Sequence, residues 1–210
     1  FTCQALAMRY GYDLDKADLA GLLHDSAKRF ENPVMLQKCL DRGIPVTAEE
    51  ERDPSLLHAK LGAWMAENKY GVDDPEILSA ITCHTTGKPG MSLLDKILYV
   101  ADYIEPRRSK AANLPEMRKL AFIDLDQACF EIMESILEYL KSTGCQIDPM
   151  TEAACQDMRR AVSEKQKETA GAAGETDQDK EEQSVESVKR NGKTCSRGFG
   201  REKRRRRKNY

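Results

Sequence analysis

The 210 residues contain only three histidines, and each stands where a metal site could use it. His24 is followed directly by Asp25 in Gly21-Leu22-Leu23-His24-Asp25-Ser26-Ala27-Lys28. His58 opens the string His58-Ala59-Lys60-Leu61-Gly62-Ala63, and His84 lies in Thr82-Cys83-His84-Thr85-Thr86-Gly87. Asp102 closes a run of apolar residues in Leu98-Tyr99-Val100-Ala101-Asp102-Tyr103-Ile104-Glu105-Pro106. Imidazole and carboxylate together suit a borderline or hard divalent cation. A cation that keeps an open position turns water into a nucleophile near neutral pH, so the chemistry these residues point to is hydrolysis. A histidine taken singly at the end of an apolar helix is more often a hydrogen-bonded structural residue, so the weight rests on the set.

Four separate segments must bring these side chains together, and the sequence writes them as helices. Residues 1 to 10 predict a helix stopped by Gly11. Asp13 or Asp15 then caps a second, with Leu19, Leu22 and Leu23 on one face and His24-Asp25 at its end. Consecutive His and Asp do not share a face of a regular helix, but at a helix end both can reach one ion. A third helix begins at Asn32-Pro33 with Met35, Leu36 and Leu40 inward and Gly43 beyond its end. Thr47 and Glu50 have the spacing of a capping box. Pro54-Ser55 restart the chain into the helix of His58, with Leu57, Leu61, Trp64 and Met65 on one side and Gly71 at its close. Asp73-Asp74-Pro75-Glu76 starts the helix that leads through Ile77, Leu78 and Ile81 to His84, and Thr85 to Gly90 cannot continue it.

Ser92 and Asp95 form another capping box. It opens the helix of Asp102, in which Leu94, Ile97, Leu98 and Ala101 pack while Asp95 and Asp102 share a different stripe. Residues 115–122, 124–143 and 149 to about 165 predict three more helices, so the domain, residues 1–165, is all-α. From 166 hydrophobic residues almost vanish. The stretch is acidic to Glu186 and basic from Arg197 to Lys208, a composition that predicts a disordered tail, 166–210.

The formal net charge of -2 and pI near 6.0 give no global attraction to nucleic acid or membrane. The basic run Arg201 to Lys208 is a local candidate for contact with an anionic surface. No aromatic residues interleave it, so specific nucleic-acid recognition is not expected. Seven cysteines without paired spacing fit reduced thiols, and the chain has neither an apolar run of membrane-spanning length nor a signal peptide, so a cytoplasmic protein is expected. The chain opens inside a predicted helix without an initiator methionine, so an upstream segment is expected. A homodimer stays open.

Taken in order, the strings Ala17 to Lys28, His58 to Ala63, His84 to Gly87 and Leu94 to Pro106 make the chain resemble the HD-domain metal-dependent phosphohydrolases. The resemblance is closest to their branch of symmetrical bis(5'-nucleosyl)-tetraphosphatases and covers about residues 1 to 155. It implies an HD-domain helical bundle and a binuclear centre, of iron in the best-fitting case, with manganese or magnesium as alternatives. His24, Asp25, His58, His84 and Asp102 match five of its ligands, with Asp25 as the bridging member. The sixth, a histidine on the helix before His24, would lie upstream of Phe1.

The implied reaction cuts a dinucleoside polyphosphate, diadenosine tetraphosphate, symmetrically into two ADP by a metal-activated water. Asp25 and Lys28 are the candidate catalytic residues. Lys28 falls on the His24 side if the helix persists, and its ammonium would hold a phosphoryl oxygen. Thr85, Thr86 and Gly87 offer hydroxyls and a flexible backbone to phosphate beside His84, and Lys88 and Arg108 are further candidate contacts. Two alternatives stand beside this reading: an HD phosphohydrolase acting on another nucleotide, and a non-catalytic nucleotide-binding module.

Overall fold

Side-chain caps set where the helices begin. In the computed structural model, which describes the backbone of residues 1–191 and the side chains of 1–170, Asp13 accepts from the Lys16 amide and opens α2, Leu14–Leu23. Before it, α1 spans Thr2–Tyr10 and stops at Gly11. Asn32–Leu40 forms α3. Both halves of the Thr47/Glu50 capping box form, and they open the five-residue α4, Ala48–Arg52. A 3-10 turn at Pro54–Leu56 leads into α5, Leu57–Tyr70. Asp74 caps α6, Pro75–Cys83. The Ser92/Asp95 box caps α7, Leu93–Tyr103. Leu114–Leu120 is α8, Leu125–Thr143 is α9, capped by Asp124, and Pro149–Asn191 is α10. The described residues contain no strand.

Residues Phe1–Glu164 form one compact unit. Its main core is assembled from Leu6 of α1, Ala17 and Ala20 of α2, Ile81 of α6, Leu94, Ile97 and Leu98 of α7, Ile132 and Met133 of α9 and Ala154 of α10. A second core, made of Ala27, Met35, Cys39, Leu57, Leu61 and Met65, ties α3 to α5. The ends of α2 and α6, the start of α5 and the last turn of α7 meet between these two cores, and all the candidate ligands lie on them.

Two expected inward faces are corrected. Leu22 is 74% exposed, because α2 buries Ala17 and Ala20, whose small side chains let it lie close against α1, α6 and α7. Leu40 is 56% exposed, because α3 faces α5 with Met35 and Cys39 and ends at Leu40 itself. The helical backbone of α10 runs to Asn191, past the end near Lys165 that the sequence suggested. Apart from Gly171 and Gly174, residues 166–191 contain no strong helix breaker. The expected disorder of 192–210, with the basic run, lies outside the described residues.

Candidate metal centre and substrate cleft

Each histidine turns its Nδ1 to a backbone carbonyl three residues earlier: His24 to Gly21 at 2.7 Å, His58 to Ser55 at 2.5 Å and His84 to Ile81 at 2.7 Å. A carbonyl oxygen only accepts, so Nδ1 carries the proton in all three rings. The remaining nitrogen, Nε2, is then the one free to bind a cation. The repeated geometry has a local cause. His24 and His84 are the first residues after α2 and α6, and His58 stands in the first turn of α5 after the 3-10 turn. At such helix ends the i−3 carbonyl is within reach of the ring.

All three Nε2 atoms face Asp25. His58 and His84 approach its Oδ1 at 3.6 and 3.5 Å, and His24 approaches Oδ2 at 3.4 Å. His24 Nε2 also lies 3.8 Å from Asp102 Oδ1. The sequence reading therefore named five side chains, from four segments, that do meet. The donor set fits cations on two observations. The Nε2 atoms of His58 and His84 stand 3.0 Å apart, so in the neutral rings two lone pairs oppose each other. In addition, Asp25 Oδ1 is buried with no hydrogen-bond partner among the described residues. A positive charge between these atoms removes both penalties. His24, Asp25 and His84 each offer a ligand atom, all within 4.8 Å of one another.

The charges are strongly coupled. Burial works against a charged His24, but hydrogen bonds with Asp102 and Asp25 outweigh it and push its pKa up to about 9. Burial likewise favours neutral carboxyls at Asp25 and Asp102. Close contact with His24, His84 and the Lys28 ammonium overcomes it and holds Asp25 well below the usual carboxylate range. Hydrogen bonding to His24 and the Arg108 charge lower Asp102. Burial dominates at His58 and lowers its pKa, keeping that ring neutral.

The framework around the centre is tight. A Cβ on Gly62 of α5 would come 3.1 Å from the His24 carbonyl oxygen, so glycine there lets α5 pass close beneath the His24-Asp25 turn. The Asp53 carboxylate accepts from both the amide and the hydroxyl of Ser55, whose carbonyl in turn orients His58. α2 ends at Leu23, and residues 24 to 30 advance through successive turns rather than a continued helix. Lys28 reaches the site by that route, with its Nζ on Asp25 Oδ2 at 2.9 Å.

A cleft of about 340 Å³ opens on the centre, and Lys28, Thr85, Thr86 and Arg108 are in its wall with His58, His84 and Asp102. Arg108 stands 3.5 Å from Asp102, and Thr85 Oγ1 lies 3.4 Å from His58 Nε2. Gly87 and Lys88 turn away. Gly87 is at φ +70, and a Cβ there would meet Met133 at 2.7 Å and Ala154 at 3.0 Å, so its role is to pack the loop on α9 and α10. The Lys88 ammonium lies 3.0 Å from Asp95, which is fully buried and which also accepts from Ser79 and the Ser92 amide. Lys88 thus neutralises a buried carboxylate. Cys83 beside it is buried, with its thiol pushed up to about 12 by desolvation, which leaves it a packing residue.

Three contributors were missed from the sequence. Tyr99 lines the cleft with a buried hydroxyl that has no partner. Its position three residues before Asp102 on α7 was the available signal. Asp53 also lines the cleft. Arg118 of α8 donates to the carbonyls of Ile104 (3.1 Å), Glu105 (2.8 Å) and Arg108 (2.9 Å), fixing the segment that carries Arg108. Nothing in the spacing of Arg118 announces that wrap.

Comparison with known proteins agrees with this geometry. Residues 1–107 match the HD domain family. The chain is 39% identical over 150 residues to a protein of Bacillus subtilis named bis(5'-nucleosyl)-tetraphosphatase, symmetrical, covering 71% of this chain and 80% of that one. It is 38% identical over 150 residues to a Halalkalibacterium halodurans protein of the same name, covering 70% and 77%. A crystal structure from Clostridium acetobutylicum, described as a predicted HD superfamily hydrolase involved in NAD metabolism, superposes with a TM-score of 0.73 at 36% identity. That match covers 76% of this chain and 84% of the other.

Proposed function

The chain belongs to the HD-domain family, and from that premise we propose that it splits diadenosine tetraphosphate at the central bridge into two ADP. The observation that carries the reading is the meeting of three Nε2 atoms, each freed by an Nδ1 hydrogen bond, around the Asp25 carboxylate, whose buried Oδ1 has no hydrogen-bond partner among the described residues. The choice of substrate is supported by the names of the relatives.

In this reading His24, Asp25, His58, His84 and Asp102 would hold the divalent cations, with Asp25 in reach of all three rings. Iron fits this imidazole and carboxylate set, with manganese or magnesium as the alternatives. Bound cations lower the pKa of coordinated water and neutralise charge developing on phosphorus.

The chain's own residues do the rest. Lys28 and Arg108, already in the cleft wall, take non-bridging phosphoryl oxygens. The hydroxyls of Thr85 and Thr86 hold the neighbouring phosphate. Water adds to one central phosphorus, the bridging P–O bond breaks and the bridging oxygen leaves with the other ADP. The water protons pass to the products and solvent.

Free thiols at the described cysteines support a cytoplasmic setting, and no helix among the described residues is long and apolar enough to cross a membrane. Chromatography of the products formed by the metal-loaded chain tests the function. ADP alone, two per substrate, is expected; AMP with ATP, or no turnover, overturns it.

A further inference from the structure

A substrate cut at its centre leaves a whole nucleoside diphosphate on each side of the broken bond. The cleft on the candidate metal centre, at about 340 Å³, is at the small end of ligand sites. A second cavity, of about 630 Å³, adjoins it, and Tyr103, Arg108 and Ile136 line both.

The two chambers differ in charge. Asp53, Asp102 and Asp148 line the cleft, whereas the second cavity has Arg107, Arg108 and Lys110 and no acidic residue. Lys16, Lys60, Lys88 and Lys96 all lie on carboxylates outside the cleft. The side chains of Arg107 and Lys110 have no such partner among the described residues, so their charge is left for a ligand. Ser109, Asn113 and Ser135 add hydrogen-bonding groups to the wall. Tyr139 of α9 lies at its rim and is 66% exposed, a placement that leaves the ring face available to a base. Tyr103 is fixed differently, with its hydroxyl on Asn113 at 2.7 Å and the Arg108 guanidinium 5.5 Å from its ring. The cavity wall is a built surface, because Arg118 binds three carbonyls of the segment that runs into it.

We propose that this cavity binds the second nucleoside diphosphate half of the substrate, with Arg108 at the junction of the halves, Arg107 and Lys110 on its phosphates and Tyr139 against its base. The proposal rests on the functional reading above and adds where the far half sits.

Two variants of the full, metal-loaded chain test it. Tyr139→Ala removes an exposed ring and should leave the fold intact. It is expected to raise KM for diadenosine tetraphosphate about tenfold, the scale of one lost base stack. KM for adenosine 5'-tetraphosphate, which lacks the second nucleoside, should move less than about twofold, with kcat unchanged for both. Ser135→Trp fills the cavity, and titration calorimetry should then count one ADP per chain where the wild type binds two. An unmoved KM in Tyr139→Ala, an equal rise for both substrates, or two ADP still bound by Ser135→Trp would overturn the subsite alone. A wild-type chain that turns over neither substrate overturns the functional reading itself.

Discussion

His24 shows how much one ring can be asked to do. Its Nδ1 proton is fixed by the Gly21 carbonyl, and its Nε2 sits between Asp25 and Asp102, which push its pKa up to about 9. Without a cation, that ring is protonated at pH 7 and serves as the counter-charge of both carboxylates. A metal must displace this proton. Apparent metal affinity should therefore rise about tenfold per pH unit from 7 toward 9 and level off above. Titration calorimetry in buffers of different ionisation heat would count the proton released, and a flat profile would refute the linkage. The sign for stability is opposite. A pKa raised above the usual histidine value of about 6.5 gives the metal-free fold a contribution that is complete below about 6.5 and is lost as pH rises through about 9.

Lys88 makes a second case at this scale, because its ammonium lies 3.0 Å from the buried Asp95. Lys88→Met should lower stability by about 1–3 kcal/mol, the cost of leaving a buried acceptor short of its donor. KM for the substrate should stay unchanged; a large KM rise at unchanged stability would return Lys88 to the binding site. The convergence of the candidate ligands is legible because few residue types bind such cations and the sequence has only three histidines. The contacts of Lys88 with Asp95 and of Gly87 with Met133 are not legible in the sequence, because they run from the loop to the start of α7 and to α9 and no local spacing announces them.

At the scale of elements, the site depends on helices that end at the right place. The capping signals at Asp13, Thr47/Glu50, Asp74 and Ser92/Asp95 could be read directly, since a cap is a short-range pattern. The inward faces were less legible. Leucines at helical spacing marked Leu22 and Leu40 as core, yet the closest helix contacts are made by Ala17, Ala20 and Gly62, small residues whose signal is weak in a hydrophobic pattern.

Gly62 carries the clearest consequence of that close packing. Gly62→Ala pushes a methyl against the His24 carbonyl, with no flexible side chain to give way. The expected cost is about 1–3 kcal/mol of stability from overpacking, with a tenfold or greater loss of metal affinity as the His24-Asp25 turn shifts. Thermal melts with and without metal would measure both. Unchanged affinity would show that the turn can move freely without disturbing its ligands.

Across the whole molecule, Phe1–Glu164 contains both cores, the candidate metal centre and the two cavities described above. Deleting 166–210 should leave kcat/KM within about twofold, less than about 0.5 kcal/mol in transition-state stabilisation. A larger loss would assign the tail a part in binding or folding. The all-α class and the ordering of ligands along the chain followed from the sequence. The chambers did not, because each is walled by segments far apart in the chain, such as residues 103–113 and α9 in the second cavity, whose shared face only folding creates.

The central claim is that Asp25 lies between cations held by the three histidines and Asp102. Anomalous diffraction from crystals of the chain loaded with iron or manganese tests it most directly. The expected map has metal peaks within about 2.0–2.3 Å of Nε2 of His24, His58 and His84, with a carboxylate oxygen of Asp25 on each peak, in keeping with ordinary metal–ligand bond lengths, and no such peaks in Asp25→Asn. Peaks elsewhere, or a metal site indifferent to that substitution, would contradict it.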